Sequence, residues 1–213
     1  MTAILVLAKA PVPGRSKTRL CPPLDLEEAA AVAEASLVTT LDAVLAAHAT
    51  CRILVLDGEP GPWLPASIEV MPQRGAGHAA RLASAFADAG APAVLIGMDS
   101  PQVTAAMLDH AIDVLAGGGA DAVLGLAEDG GWWAIGLHSV DDRVFAGVPM
   151  SRPDTGRRQL ERLEHLGLRT RLLPRLRDVD RYADAVAVAA MAPGTPFAET
   201  VGRLGDAEPA AAR

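Results

Sequence analysis

The residues best suited to chemistry come early. The stretch Ala8-Lys9-Ala10-Pro11-Val12-Pro13-Gly14-Arg15-Ser16-Lys17-Thr18-Arg19-Leu20 sets Lys9, Arg15, Lys17 and Arg19 around Gly14 and two prolines. Cations at that density suit a ligand whose own negative charges repel one another. Transfer at phosphorus adds charge to the phosphoryl oxygens and to the leaving group. Fixed Lys and Arg side chains stabilise that charge, and Arg can take two oxygens at once. Gly14 lets the backbone approach such a group closely. The competing reading is a solvated loop with scattered charge. The stretch has neither the spacing of a P-loop nor that of the G-x-G-x-x-G dinucleotide fingerprint.

Acidic residues follow at intervals. Asp99 stands directly after the apolar run Ala93–Met98. A hard divalent cation wants one or two carboxylates there, together with phosphate oxygens and waters. The alternative is an Asp that caps the turn at Ser100-Pro101. Glu128 and Asp129 precede Gly130-Gly131 and Trp132-Trp133. One of the two carboxylates is placed to orient an acceptor hydroxyl or to take its proton. Trp132 or Trp133 is a candidate pocket wall, although alternation along a strand sends them to opposite faces. Asp178 and Asp180 flank Val179 and share a face in an extended segment. One of them could complete the metal site begun by Asp99, or both could pair with Arg175, Arg177 or Arg181. A second Gly-rich loop, Pro72-Gln73-Arg74-Gly75-Ala76-Gly77-His78, offers Gln73, Gly75 and His78 to the same ligand. The remaining histidines show no paired metal spacing.

The elements that must position these groups alternate. Mostly apolar runs at Ala3–Leu7, Ile53–Leu56, Ile68–Met71, Ala93–Met98, Ala122–Leu126 and Trp132–Leu137 read as strands, and Arg169–Leu173 reads as a last one. Between them, helical spacing runs from Leu26 to about His48 behind an Asp25/Glu28 capping box. Further helices are expected after His78, after Thr104, over Thr155–His165 and from about Tyr182. Such alternation predicts an α/β fold: a doubly wound, mainly parallel sheet with helices on both faces, and a small antiparallel element where 122–126 meets 132–137. Ligands of open α/β sheets lie beyond the carboxyl ends of the strands. That places all the groups named above on one edge. One domain over 1–192 is expected, followed by an Ala/Pro/Gly-rich tail over 193–213 that is partly disordered.

Half of the 213 residues are hydrophobic but only 3% are aromatic, so the core must be built from Ala, Val and Leu. A formal net charge of −7 argues against general nucleic-acid binding. Cys21 and Cys51 have no metal-type spacing and read as free thiols in a reducing compartment. The N-terminal apolar run is too short for a signal peptide, and no apolar stretch approaches a membrane span. A cytoplasmic protein without a membrane partner is expected.

Four motifs together resemble a known bacterial family. Lys9–Leu20, Ile96-Gly-Met-Asp-Ser-Pro101, Ala127-Glu-Asp-Gly-Gly-Trp-Trp133 and Leu176-Arg-Asp-Val-Asp180 are similar, in order, to the rSAM/selenodomain-associated transferases, a GT-A-like (Rossmann-like) family. The resemblance spans about Ala3 to Ala190. Related folds include nucleotidyltransferases and GT-A glycosyltransferases. The resemblance implies Lys17 and Arg19 at the phosphates, Asp99 on Mg²⁺ or Mn²⁺, and Asp178 or Asp180 as second ligand. This chain is poorer in glycine at its opening than the usual nucleotidyltransferase. It lacks the glycosyltransferase D-x-D and has Trp132-Trp133 where the family often has two tyrosines. The expected activity is a Mg²⁺-dependent nucleotidyltransferase that joins a nucleotide, taken from a nucleoside triphosphate, to a small phosphorylated acceptor and releases pyrophosphate. Lys17, Arg19 and Asp129 would carry the chemistry, with Lys9, Gly14, Arg15, Gln73, Gly75, His78, Glu128 and Trp132 binding substrate. The alternatives are a GT-A glycosyltransferase using a nucleotide-diphosphate sugar and a non-catalytic nucleotide-binding module.

Overall fold

The computed structural model describes residues 2–207. Seven strands form one sheet: β1 Ala3–Lys9, β2 Cys51–Asp57, β3 Glu69–Pro72, β4 Ala93–Gly97, β5 Ala122–Ala127, β6 Trp132–Leu137 and β7 Thr170–Leu176. Their spatial order is β3-β2-β1-β4-β6-β5-β7. Only β6 runs antiparallel, between β4 on one side and β5 on the other. The expected β5–β6 hairpin is present. It goes further than the sequence suggested, because β6 also bonds to β4 and so sits inside the sheet. Strands β1, β4 and β5 are almost wholly apolar because both their faces are covered.

Six α-helices accompany the sheet among the described residues: α1 Leu26–Ala46, α2 His78–Ala89, α3 Ala105–Ala116, α4 Thr155–His165, α5 Tyr182–Met191 and α6 Pro196–Ala207. On one face, Leu37, Leu41 and Val44 of α1 and Leu108 and Leu115 of α3 cover Ile4, Val6, Leu54, Val94 and Ile96. On the other, Leu82 and Phe86 of α2 and Leu163 of α4 cover Leu5, Val55, Leu95, Leu124 and Ile135. Phe86 stacks on Phe145 at a centroid distance of 5.8 Å.

A third layer lies outside α1. Ala29 and Val32 pack with Leu20, Leu24, Val179, Ala185, Val188, Phe197 and Val201. Helix α6 therefore begins within the stretch expected to be a tail. The disorder expected at the extreme C-terminus falls outside the described residues. Layering on both sides explains the composition of α1, which is apolar on nearly every face. By length and composition alone it is apolar enough to cross a membrane, contrary to the expectation that no stretch is; in this fold it is packed between the sheet and α5–α6. The Asp25/Glu28 capping box forms as expected, with Glu28 N donating to Asp25 Oδ1 at 2.8 Å and Asp25 N to Glu28 Oε2 at 2.9 Å. A cap of this kind contributes about 1 kcal/mol.

Candidate functional site

A two-lobed cleft opens at the carboxyl edge of β1 and β4. The first lobe, about 300 Å³, is lined by Lys9, Arg15, Lys17, Arg19 and Arg81 with Gln73, His78, Asp99 and Asp180. The second, about 510 Å³, is lined by Asp99, Asp129, Asp178 and Asp180, by Trp132, Trp133 and Met150, and by Ser151–Pro153. Leu7, Arg19, His78, Asp99 and Asp180 line both.

The loop after β1 is shaped locally. Ser16 Oγ donates to the carbonyl of Ala10 at 2.8 Å, and Gly14 turns with φ +73°. Lys17 adopts the left-handed conformation, φ 52° and ψ 30°, just before the short 3₁₀ turn Thr18–Leu20. Leu20 and Leu24 then bury themselves under α5 and α6. Gln73, at the second Gly-rich loop, uses its amide to donate to the carbonyls of Ala8 (2.8 Å) and Val55 (3.1 Å). It thereby ties that loop to the ends of β1 and β2. Its Oε1 accepts from Arg81, which also pairs with Asp57 at 3.0 Å.

Asp99 is held by its backbone from two sides. Ser36 of α1 donates to the neighbouring Met98 carbonyl at 2.6 Å, and Val179 N donates to Asp99 O at 2.8 Å. Its side chain accepts an ion pair from Lys17 Nζ at 2.6 Å. Asp178 accepts from Ser100 Oγ at 2.7 Å. Burial, opposed by that hydrogen bond but reinforced by the charges of Asp99 and Asp129, pushes the Asp178 carboxyl up to about 6. Asp180 turns away to Arg19, which donates twice, at 2.8 and 3.0 Å. The pairing of Asp178 or Asp180 with Arg175, Arg177 or Arg181 allowed by sequence is thus replaced by partners distant in the chain.

Asp129 Oδ1 accepts from Gly131 N at 2.8 Å, leaving the carboxylate on the wall of the second lobe. Glu128 pairs instead with Arg177, 2.7 Å away, and does not line either lobe. Gly14 and Gly75 do not line the lobes either. A Cβ on Gly75 would stand 2.8 Å from the Ala80 backbone, so its role is to let the loop enter α2. Trp132 is half-buried on the cleft wall. Trp133 is buried and donates to the Pro174 carbonyl at 2.9 Å. His78, open to the cleft, is held below its ordinary value by the surrounding walls and by Arg81 and Lys9, against the pull of Asp99.

The structure therefore gathers Lys9, Arg15, Lys17, Arg19, Gln73, His78, Asp99, Asp129, Trp132, Asp178 and Asp180 in one cleft. It adds Arg81, Ser100 and the 150–155 segment to the cleft and Ser36 behind it as a support of the Met98 carbonyl, none of which was assigned a site role from sequence. Arg81 lies one helical turn after His78, a spacing that would have identified it. Ser36 gave no signal, being one small residue on an apolar helix.

Among the described residues, no cluster of three or more Asp, Glu, His or Cys side chains forms a ready cage for a metal. The donor set nevertheless fits a hard divalent cation. Asp99 and Asp178 are carboxylates close enough that the charge of Asp99 helps to raise the affinity of Asp178 for its proton. A cation that keeps water and phosphate oxygens needs only one or two such ligands.

Comparison with solved structures bears on the fold. The chain resembles a candidate nucleotide-diphospho-sugar transferase from Desulfovibrio desulfuricans G20, with 25% identity, a TM-score of 0.85, and coverage of 96% of this chain and 94% of that one. Rv0371c of Mycobacterium tuberculosis H37Rv, solved as a manganese complex, is 25% identical with a TM-score of 0.51, over 88% and 97% of the two chains. A cytidylyltransferase from Leptospira borgpetersenii shares the fold at 11% identity and a TM-score of 0.58, over 96% and 94%. The fold is thus GT-A-like, and its neighbours are transferases of the nucleotidyl or sugar-nucleotide kind. No curated protein matches the chain. The family profile covers residues 27–152, which takes in Asp99, Asp129 and Trp132 but neither the basic loop nor Asp178. The chain belongs to that family, described as "Uncharacterized protein conserved in bacteria (DUF2064)".

Proposed function

We propose that the chain is a divalent-metal-dependent nucleotidyltransferase. The observation that carries this reading is the merger at Asp99 of a lobe lined by five cations with one lined by four carboxylates. Lys9, Arg15, Lys17 and Arg19 are suited to a triphosphate, which needs more neutralisation than a diphosphate sugar. Mg²⁺ or Mn²⁺ held by Asp99 and Asp178 would supply positive charge to the phosphate oxygens as they gain charge. An acceptor oxygen in the second lobe attacks the α-phosphorus, and pyrophosphate leaves toward the cationic loop. Asp129 takes the acceptor's proton where the acceptor is a hydroxyl. Trp132 and Met150 offer an apolar wall. The four sequence motifs support placing the chain among the rSAM/selenodomain-associated transferases.

A second reading, glycosyl transfer from a nucleotide-diphosphate sugar, draws support from the 25% identity to the Desulfovibrio protein.

The test incubates the protein and Mg²⁺ with each nucleoside triphosphate and acceptors offered with and without a phosphate. Pyrophosphate release that depends on acceptor is expected. Release of nucleoside diphosphate from a nucleotide sugar, with no pyrophosphate from any triphosphate, would establish the second reading instead. Stabilisation by nucleotide without turnover of either donor would reduce the protein to a binding module.

A further inference from the structure

Lys17 occupies the carboxylate assigned to the metal. Its Nζ lies 2.6 Å from Asp99 Oδ1 and also donates to the carbonyl of Val179. The Lys17 side chain is only 9% exposed, whereas that of Asp99 is 54% exposed. The ammonium therefore approaches Asp99 from inside the protein and leaves its outer side open to the cleft. Lys17 and Ser151 are the two non-glycine residues with positive φ among the described residues. Left-handed backbone at a residue with a side chain is costly and marks an over-determined position.

An ammonium and a divalent cation cannot share one carboxylate oxygen at contact distance, because like charges at that range repel strongly in a part-buried site. A metal that takes Oδ1 must move Lys17, and one that enters from the open outer side still meets the ammonium across the same carboxylate. The lobe it would enter is lined by Lys9, Arg15, Arg19 and Arg81. In that lobe a free ammonium meets only more positive charge, apart from Asp180, which Arg19 already holds with two hydrogen bonds. A polyphosphate in the first lobe changes this, since its oxygens offer Lys17 a partner as good as the one it leaves.

We infer that the Asp99 site takes its divalent metal as a metal–polyphosphate complex and not as a free ion, with Lys17 passing from Asp99 to a phosphate oxygen as the complex enters. This rests on the reading of Asp99 as a metal-holding residue. The neighbouring Arg19–Asp180 pair has a different character. Its side chains are 71% and 49% exposed, so it is a weak contact that a ligand opens easily.

The test uses the full chain with Mn²⁺ alone and with the preformed Mn²⁺–pyrophosphate complex, and reads protein-bound Mn²⁺ by water-proton relaxation. Wild type should bind the complex at least about tenfold more tightly than the free ion, as expected where a buried cation must first be moved. Equal or tighter binding of free Mn²⁺ overturns the inference without any substitution. In Lys17→Gln and Lys17→Met, free Mn²⁺ should bind at least about tenfold more tightly than in wild type, while the complex binds more weakly. A lysine that only contacts phosphate, or only supports the loop, would not produce these opposite signs. Unchanged or weaker binding of free Mn²⁺ in both variants, with native circular dichroism, overturns the exchange. Asp99→Asn separates the two levels of the argument. If it weakens binding of the complex but the Lys17 variants gain nothing, the exchange alone is wrong. If it alters neither binding, Asp99 does not hold the metal and the exchange falls with it.

Discussion

The two lobes of the cleft are built in different ways. The cationic lobe draws most of its charge from a single contiguous stretch, Lys9–Arg19, with Arg81 added from α2. The acidic lobe is assembled mainly from four distant segments, around Asp99, Asp129, Arg152 and Asp178, with Leu7, Arg19 and His78 shared with the first lobe. A contiguous loop can be altered one residue at a time, whereas a composite wall depends on the contacts that hold its segments together. Gly130 shows this dependence. A Cβ there would stand 1.8 Å from the Pro153 carbonyl oxygen, and Gly156 N donates to Gly130 O at 2.8 Å. The β5–β6 turn and the start of α4 are thus pressed backbone to backbone.

The largest expected effect comes from the residue that both lobes share. Asp99→Asn should weaken metal-dependent nucleotide binding by about a hundredfold, near 3 kcal/mol, measured by calorimetry with each Mg²⁺–nucleoside triphosphate. Unchanged binding would remove Asp99 from the junction.

Next is Gly130→Ala, which adds a clash to a φ of +91°. A loss of about 3 kcal/mol in denaturant unfolding is expected. The folded fraction should still bind pyrophosphate, since the cationic lobe is built separately. Loss of both together would break the comparison. Trp133→Phe leaves the Pro174 carbonyl without its donor and should cost about 2 kcal/mol, read as a lower urea midpoint with an unchanged slope. Arg19→Gln should cost less than about 1 kcal/mol of stability, because its pair with Asp180 is exposed, yet it should still weaken pyrophosphate binding.

The smallest effect is a pH dependence at His78, which borders both lobes. Its folded-state pKa lies below the unfolded value of 6.5. The unfolded chain therefore binds the proton first, and stability falls as pH drops below 6.5, levelling once the folded imidazole also protonates. Asp178, raised to about 6, contributes with the opposite sign in the same window, so His78→Gln should shift unfolding midpoints measured between pH 7.5 and 5 toward greater relative stability at the acid end than in wild type. Pyrophosphate should raise the imidazole pKa, followed by NMR, because it offsets the charges of Arg81 and Lys9.

The same contrast explains how much was legible in the sequence. Strands β1 and β4 announce themselves as unbroken apolar runs, and the capping box at Asp25 is a purely local signal. The basic loop is equally local, so Lys9, Arg15, Lys17 and Arg19 could be read directly. What charge spacing could not supply was pairing. Lys17–Asp99 and Arg19–Asp180 link residues far apart in the chain, and the choice between Arg19 and the nearer Arg175, Arg177 or Arg181 is made by the fold. Glu128 was expected to bind substrate beside Asp129. Only the β5–β6 turn and the position of Arg177 separate them, one to an ion pair and one to the cleft wall. The 150–155 segment carries no repeated charge or glycine pattern. Its place in the cleft follows from contact with Gly130, a tertiary fact.

The third layer over α1 has a consequence for the order in which the protein can be completed. Leu20 and Leu24, which seat the basic loop, rest on Val179, Val188, Phe197 and Val201. Thr39 of α1 accepts from Phe197 N at 3.1 Å. The loop leaves the ribosome well before its supports. All seven strands are available for pairing before α5 and α6 emerge, and the cradle for phosphate acquires its final shape only when those two helices pack over α1.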